Sequence, residues 1–183
     1  MPKLYLRRPT ADKTRGASDG KLPTPMESTP LILPQLGPVY HAVAPIAATL
    51  IRVVVGLALV PHGLRFCFGW FPNSGSQILS FGRQAAALER SGYRPGRFWA
   101  AVIAAVELLG GPLLALGLLT RPVSAIILVF LVNAVIEHAR FHGYFWNKLG
   151  LEYCMVWSAA TLFFVVNGGG PYSLDSWLVG HEF

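Results

Sequence analysis

The sequence is poor in charged residues and in cysteine. Only 13% of its 183 residues are Asp, Glu, Lys or Arg, whereas soluble domains carry about 25%. The two cysteines, Cys67 and Cys154, form neither a CxxC pair nor a zinc-type spacing, and we expect them to be free and packed as small apolar side chains. The first 30 residues lack an apolar run, so no cleavable signal peptide is expected.

The charge deficit falls after residue 40, where four apolar stretches follow one another. About 20 apolar residues in a helix cross the hydrocarbon core of a bilayer. The sequence therefore predicts an all-α fold, an integral membrane four-helix bundle. The third and fourth stretches are close to the lower length limit, which leaves open that one of them is re-entrant. The predicted spans are about residues 43–68, 98–119, 123–139 and 151–167.

Three segments lie outside the predicted spans. Residues 1–42 are polar and rich in proline, a composition that cannot bury enough apolar surface to fold alone. Between spans one and two, apolar residues recur at helical spacing from Ile78 to Leu88, which predicts a short amphipathic helix at the membrane interface. Residues 168–183 are predicted to form an interfacial C-terminal tail.

The net charge of +6 arises from basic residues that stand beside the spans. Such residues usually contact anionic lipid headgroups, and no nucleic-acid-binding module accompanies them. We therefore expect a lipid bilayer as partner and no nucleic acid. Basic residues are almost evenly divided between the two membrane faces, so the positive-inside rule decides little. Cytoplasmic N- and C-termini are favoured, because a polar tail of 40 residues without a signal is hard to translocate.

Ionisable residues inside apolar spans are costly and therefore informative. Arg52 in span one and Glu107 in span two lie at similar depth by helix-rise counting, which predicts a buried ion pair. A structural role, fixing the helix register, is favoured over a proton or quinone-headgroup site. Glu152, at the start of span four, is the third residue predicted to be buried and polar.

Antiparallel connectivity brings a second group of polar residues to one membrane face. His138 and His142 stand four residues apart, a spacing that could hold a metal. The sequence lacks the duplicated Glu-x-x-His pattern of di-metal bundles, so we predict no metal site and assign no catalytic residue. This predicted polar face cluster consists of His62, Arg65, Glu137, His138 and His142.

These residues occur in an order and spacing that resemble the DoxX family of small bacterial and archaeal four-helix membrane proteins. The resemblance covers about residues 45–176, without the proline-rich extension and without His138 and His142. Its pieces are Arg52-x3-Gly56, His62-Gly63 with Arg65, Gly69-Trp70-Phe71, Glu107-x2-Gly110-Gly111, Leu116-Gly117-x2-Thr120-Arg121, Glu152-Tyr153 and Gly168-x-Gly170-x-Tyr172-Ser173-Leu174-Asp175.

The resemblance implies a subunit of a membrane oxidoreductase, in the cytoplasmic membrane of a bacterium or archaeon. Family members are described as subunits of quinol oxidase and thiosulfate:quinone oxidoreductase assemblies. The first hypothesis is a non-catalytic accessory subunit of a larger redox complex, with other subunits as partners. The alternatives are a standalone quinone-linked oxidoreductase and, ranked last, a small-solute or proton transporter. We expect no intrinsic cofactor and leave a quinone or lipid ligand open.

Overall fold

The computed structural model describes residues 32–178 and residue 180, and these contain no β-strand. Most of the predicted N-terminal extension, residues 1–31, lies outside the described part of the chain. The chain divides into two units, Met1–Gly37 and Pro38–Phe183, and the second contains the bundle. The all-α fold class is confirmed. The helices are α1 (Gly37–Phe68), α2 (Phe81–Arg90), α3 (Gly96–Ala105), α4 (Gly111–Leu116), α5 (Thr120–Phe141), α6 (Glu152–Asn167) and α7 (Leu174–Leu178), with 3₁₀ turns at Pro34–Leu36 and Trp146–Lys148.

Within residues 32–178, three helical stretches are long and apolar enough to cross a membrane: Pro34–Phe68, Gly96–Leu116 and Thr120–Phe141. α5 extends beyond both ends of the predicted third span and reaches 22 residues. α6 is apolar but has only 16 residues, a length of about 24 Å at 1.5 Å per residue. It is thus shorter than the roughly 30 Å hydrocarbon core.

The second span is interrupted by a π-helical turn at Val106–Gly110, which joins α3 to α4. The backbone N–H of Gly111 donates to the carbonyl of Val106, five residues earlier. The next residue, Pro112, has no N–H to donate and its ring crowds the preceding turn. The irregularity that the Gly-Gly-Pro sequence predicts therefore takes the form of a widened turn, and that turn carries Glu107.

The core lies where α5 meets its neighbours. α5 packs against α6, against α4 and against the π turn. The outward faces of these helices keep large apolar side chains exposed, such as Val129 and Val156, as expected for surfaces that contact lipid. The buried apolar cluster consists of Val55, Leu59, Val106, Leu114, Val123, Ile127, Leu131 and Phe164.

α1 meets the second span through a pair of glycines. A Cβ atom on Gly111 would lie 2.6 Å from the carbonyl oxygen of Gly56, and a Cβ on Gly56 would collide with the carbonyl of Gly111. Small residues let membrane helices approach this closely. The contact fixes the register, so that Gly56 of α1 lies opposite Gly111 and Gly63 lies opposite Glu107 and Leu108.

The predicted amphipathic helix between spans one and two is present as α2. Its first turn is capped by Ser80, whose hydroxyl accepts from the N–H of Arg83 at 3.3 Å. α2 packs on the start of α3, where Gly96 faces the carbonyl of Ala85. The N–H of Gly96 also donates to Glu89 Oε1 at 3.1 Å.

Two adjacent glycines provide a matched test of this register. Gly111→Ala should lower the free energy of unfolding by about 1–3 kcal/mol, the usual cost of overpacking. Gly110→Ala should leave it unchanged or raise it slightly, because the new methyl group would meet Ile127 Cγ1 at an ordinary 3.6 Å. Denaturant unfolding of both variants in one detergent measures the difference. Equal losses would contradict the Gly56–Gly111 contact.

Candidate functional site

Glu107 is a buried carboxylate on the π turn, with 6% of its surface exposed. The turn fits against α1 because residue 63 has no side chain: a Cβ on Gly63 would lie 2.7 Å from Leu108 Cγ and 3.2 Å from Glu107 Cβ. Widened turns of this kind are often found at functional sites. The backbone therefore brings one carboxylate into the interface between α1 and the second span.

The cationic neighbour of Glu107 is Arg65, one turn before the end of α1 and half-buried. The two charges lie within electrostatic range of each other. Glu107 Oε2 and Arg65 Nε are both buried, and neither has a hydrogen-bond partner among residues 32–178 and 180. Buried polar atoms are nearly always paired. Glu107 Oε2 and Arg65 Nε therefore lack, among the described residues, the partner that buried polar atoms usually have.

An open groove at the end of α1 is lined in part by Arg65. Its volume is about 520 Å³. His62 is on its wall, exposed, and within electrostatic range of both Arg65 and His138. The Cys67 thiol, half-buried and free, is within range of Glu107. The groove is lined by Pro61, His62, Arg65, Phe71, Pro72, Asn73 and Ser74.

The structure brings part of the predicted polar face cluster together. His62, Arg65 and His138 interact electrostatically, and Glu107, which the sequence pairs with a different residue, joins them. Glu137 instead forms an ion pair with Arg140 at 3.5 Å on its own helix. The sequence signal for Glu107 is its place in the second span, but the π turn that places it within electrostatic range of Arg65 has no simple sequence signature.

His138 and His142 are neighbours on α5, as their spacing predicts. Their ring centroids are 5.4 Å apart, and His138 Nδ1 lies 2.8 Å from the carbonyl oxygen of Ala134. In the described part of the chain, no group of three or more His, Cys, Asp or Glu side chains is arranged to hold a metal ion.

Glu152 is half-buried and has a local role. Its Oε2 accepts from the backbone N–H of Trp146 at 3.2 Å, at the start of the 3₁₀ turn in the α5–α6 connection. The connection folds tightly because a side chain at Gly150 would collide with the carbonyl of Tyr144. The aromatic rings of Trp146 and Tyr153 contact each other, with their centroids 5.8 Å apart.

The predicted ion pair between Arg52 and Glu107 is wrong. Glu107 lies opposite Gly63, eleven residues beyond Arg52 on α1 and thus about 16 Å further along the helix axis. Arg52, which is 1% exposed, donates from Nη1 to the carbonyl of Gly169 and from Nη2 to that of Tyr172, the latter at 2.8 Å. Its acceptors are backbone carbonyls of the C-terminal segment.

The guanidinium lies over the end of α4, where Gly117 adopts φ +71°. Gly117 and Leu118 donate to the carbonyls of Leu114 and Leu113, the bonds of a Schellman motif that favours glycine at this position. A Cβ on Gly117 would lie 2.6 Å from the guanidinium carbon of Arg52. Glycine is required both for its backbone conformation and for room.

Asp175 completes this C-terminal knot, which we define as Arg52, Gly117, Thr120, Gly169 and Asp175. The carboxylate is 1% exposed. It accepts from the N–H of Leu119 at 2.7 Å and from both the N–H and the hydroxyl of Thr120 at 2.8 Å. The N–H of Asp175 donates to the Gly117 carbonyl at 2.9 Å. The carboxylate thus caps α5 and holds Leu119, whose left-handed φ of 51° is strained for a side chain with a Cβ.

The motif pieces of the sequence therefore converge on two places. The Arg52-x3-Gly56, Leu116-Gly117-x2-Thr120 and Gly168-to-Asp175 pieces meet at the C-terminal knot. The His62-Gly63 and Glu107-x2-Gly110-Gly111 pieces meet where the π turn packs against α1. The sequence model of the DoxX family matches residues 47–141, more than half of the chain.

The chain belongs to the DoxX family. It is a membrane protein of that family, with apolar helices that fit a multi-pass bundle. No curated protein and no solved structure matches it. The family assignment adds no catalytic residue, and the site is therefore argued from its geometry alone.

The stability that the C-terminal knot provides should depend on a single carboxylate oxygen of Asp175. Asp175→Asn replaces a carboxylate oxygen by an NH₂ group that faces backbone and hydroxyl donors. We expect a loss of about 1.5–3 kcal/mol in the free energy of unfolding, the range for hydrogen bonds to a charged group. Tyr172→Phe is the control, because Arg52 uses only the backbone carbonyl of residue 172. Denaturant unfolding compares them, and a stable Asp175→Asn protein would refute the cap.

Proposed function

We propose that this DoxX-family protein is an integral subunit of a larger membrane redox complex and that the groove lined by Arg65 contacts a quinone headgroup. One observation carries the proposal: Arg65 lines the groove at the end of α1, and its Nε is buried without a hydrogen-bond partner among the described residues. Glu107, whose buried Oε2 also has none there, lies within electrostatic range of Arg65.

The chemistry of this pair fits a quinone headgroup. Such a headgroup carries oxygens that accept hydrogen bonds when it is oxidised and also donate them when it is reduced. Arg65 supplies a permanent donor, and Glu107 supplies a carboxyl that accepts when ionised and donates when protonated. The apolar rest of a quinone would remain in the surrounding membrane.

The surface around the groove supports a role within a complex. The end of α1 and the α5–α6 connection expose eight large aromatic residues. Aromatic residues are enriched where protein surfaces bind each other and also at the level of lipid headgroups. A partner covering this surface would close the groove against water. The residues are Phe68, Trp70, Phe71, Phe141, Tyr144, Phe145, Trp146 and Tyr153, each at least half exposed.

Native gel electrophoresis of mildly solubilised membranes, with mass spectrometry of every band that contains the chain, tests the proposal. We expect migration with a larger assembly that contains redox subunits. Migration alone, as a monomer or small homo-oligomer, would refute the subunit role and favour a standalone quinone-linked oxidoreductase.

The Glu107→Gln variant separates contact with the headgroup from assembly. It should migrate as the wild type does but lose most of the quinone-linked electron transfer of the assembly, because the carboxyl can no longer exchange a proton. Glu137→Gln should change neither property. It removes a carboxylate whose Oε1 is also buried without a hydrogen-bond partner among the described residues but lies 3.5 Å from Arg140 Nη1 on α5. Loss of the assembly in Glu107→Gln would assign Glu107 a structural role instead.

A further inference from the structure

His138 and His142, at the end of α5, are a pair of side chains that the proposed function does not use. Their ring centroids are 5.4 Å apart, and the ring planes make an angle of 38°. Two imidazoles that share one metal ion in tetrahedral geometry, each through a nitrogen about 2.0–2.1 Å from it, have centroids roughly 5 Å apart. The spacing of the two rings therefore fits two ligands of one ion.

One hydrogen bond sets the tautomer of His138. Its Nδ1 lies 2.8 Å from the carbonyl oxygen of Ala134, and because a carbonyl oxygen only accepts, Nδ1 must carry the proton. In the neutral ring the lone pair is then on Nε2, where it can bind a metal ion. Metal-ligating histidines almost always donate their other ring N–H to a group of this kind, which orients the ring. His138 thus has the supporting hydrogen bond that is typical of a metal ligand.

The position of the pair at the end of a helix also suits a cation. His142 is the C-cap of α5, and its N–H donates to the His138 carbonyl at 2.9 Å. The last carbonyl groups of a helix give its C-terminus a partial negative charge, which favours a positive charge beside it. Arg140 lies between the two histidines in the sequence, and its Nη1 is 3.5 Å from the Glu137 carboxylate, which offsets its repulsion of an ion.

We propose that His138, through Nε2, and His142, through a ring nitrogen, bind a divalent transition-metal ion such as Zn²⁺. This inference goes beyond the proposed function and does not depend on it. Imidazole ligands suit zinc, nickel and copper, whereas magnesium and calcium prefer oxygen. In the part of the chain that the structure describes, no third His, Cys, Asp or Glu side chain joins the pair in a metal-holding group. The other coordination positions are therefore open to water or to a ligand from another chain.

Three further side chains could compete for the ion and must be separated from the pair. His62 is exposed on the wall of the groove and lies within electrostatic range of His138. Cys67 and Cys154 are free and half-buried, and thiolates are good zinc ligands. Replacing His62 tests the first competitor, and the metal–ligand distance distinguishes sulfur from nitrogen.

The test is the zinc affinity of the full chain, without an affinity tag, in nanodiscs of zwitterionic lipid. Competition with a chelator of known affinity measures it, and we expect one zinc ion per chain at micromolar free zinc. His138→Gln and His142→Gln should each weaken binding by at least about tenfold, because loss of an outer hydrogen-bond partner alone costs about 10–100-fold. His62→Gln is the matched control and should bind zinc as the wild type does.

X-ray absorption at the zinc edge identifies the ligands of the loaded wild-type protein. We expect two nitrogen ligands with imidazole scattering at about 2.0–2.1 Å and no sulfur at about 2.3 Å. A sulfur ligand would assign the ion to Cys67 or Cys154 and would overturn the proposal.

The binding measurements overturn the proposal in several ways. Absence of binding at micromolar zinc would do so, and so would equal binding by the wild type and both variants. A loss in only one of the two variants would reveal an adventitious ion on a single histidine, and an equal loss in His62→Gln would move the site to the groove. If His138→Gln does not fold, His142→Gln, which changes an exposed side chain, decides together with the absorption spectrum.

Discussion

The burial of the Arg52 guanidinium is the constraint on which this structure depends. A charge placed in an apolar bundle is very costly unless hydrogen-bond acceptors surround it. Carbonyl groups of Gly169 and Tyr172 meet that need, and they can do so only because the C-terminal segment folds back over the end of α4. That fold-back places Asp175 at the start of α5, where it caps the helix. One buried cation thus ties together α1, the α4–α5 turn and the C-terminus.

The π turn in the middle of the second span is built on a different principle. The Glu107 side chain is also buried, but its Oε2 lacks a hydrogen-bond partner among the described residues. The turn that carries it departs from α-helical geometry. Sites that violate the rules of stable packing in this way are expected where function requires it. We therefore assign the two places different roles: the C-terminal knot holds the bundle, and the groove lined by Arg65 is where we propose that a ligand binds.

The sequence predicts the bundle well, because long apolar runs permit few other folds, and the spacing from Ile78 to Leu88 is sufficient to predict α2. It predicts the site only in part. Antiparallel connectivity brings His62, Arg65 and His138 to one face, as expected. The pairing of Arg52 with Glu107 is wrong because depth counting ignores the register that the Gly56–Gly111 contact imposes. The cap formed by Asp175 escapes prediction, since its partners lie 55 and 56 residues away and no local pattern joins them.

The different roles of the C-terminal knot and of the π turn that carries Glu107 are tested most directly by the stability of two variants in the same detergent. Arg52→Gln should lower the free energy of unfolding by about 2 kcal/mol or more, because it leaves buried carbonyls without donors. Glu107→Gln should leave it unchanged or raise it, because it replaces a buried carboxyl whose Oε2 has no partner in the described part of the chain. If Glu107→Gln lowered the free energy of unfolding as much as Arg52→Gln, Glu107 would stabilise the bundle. The assignment of separate roles to the two places would then be wrong.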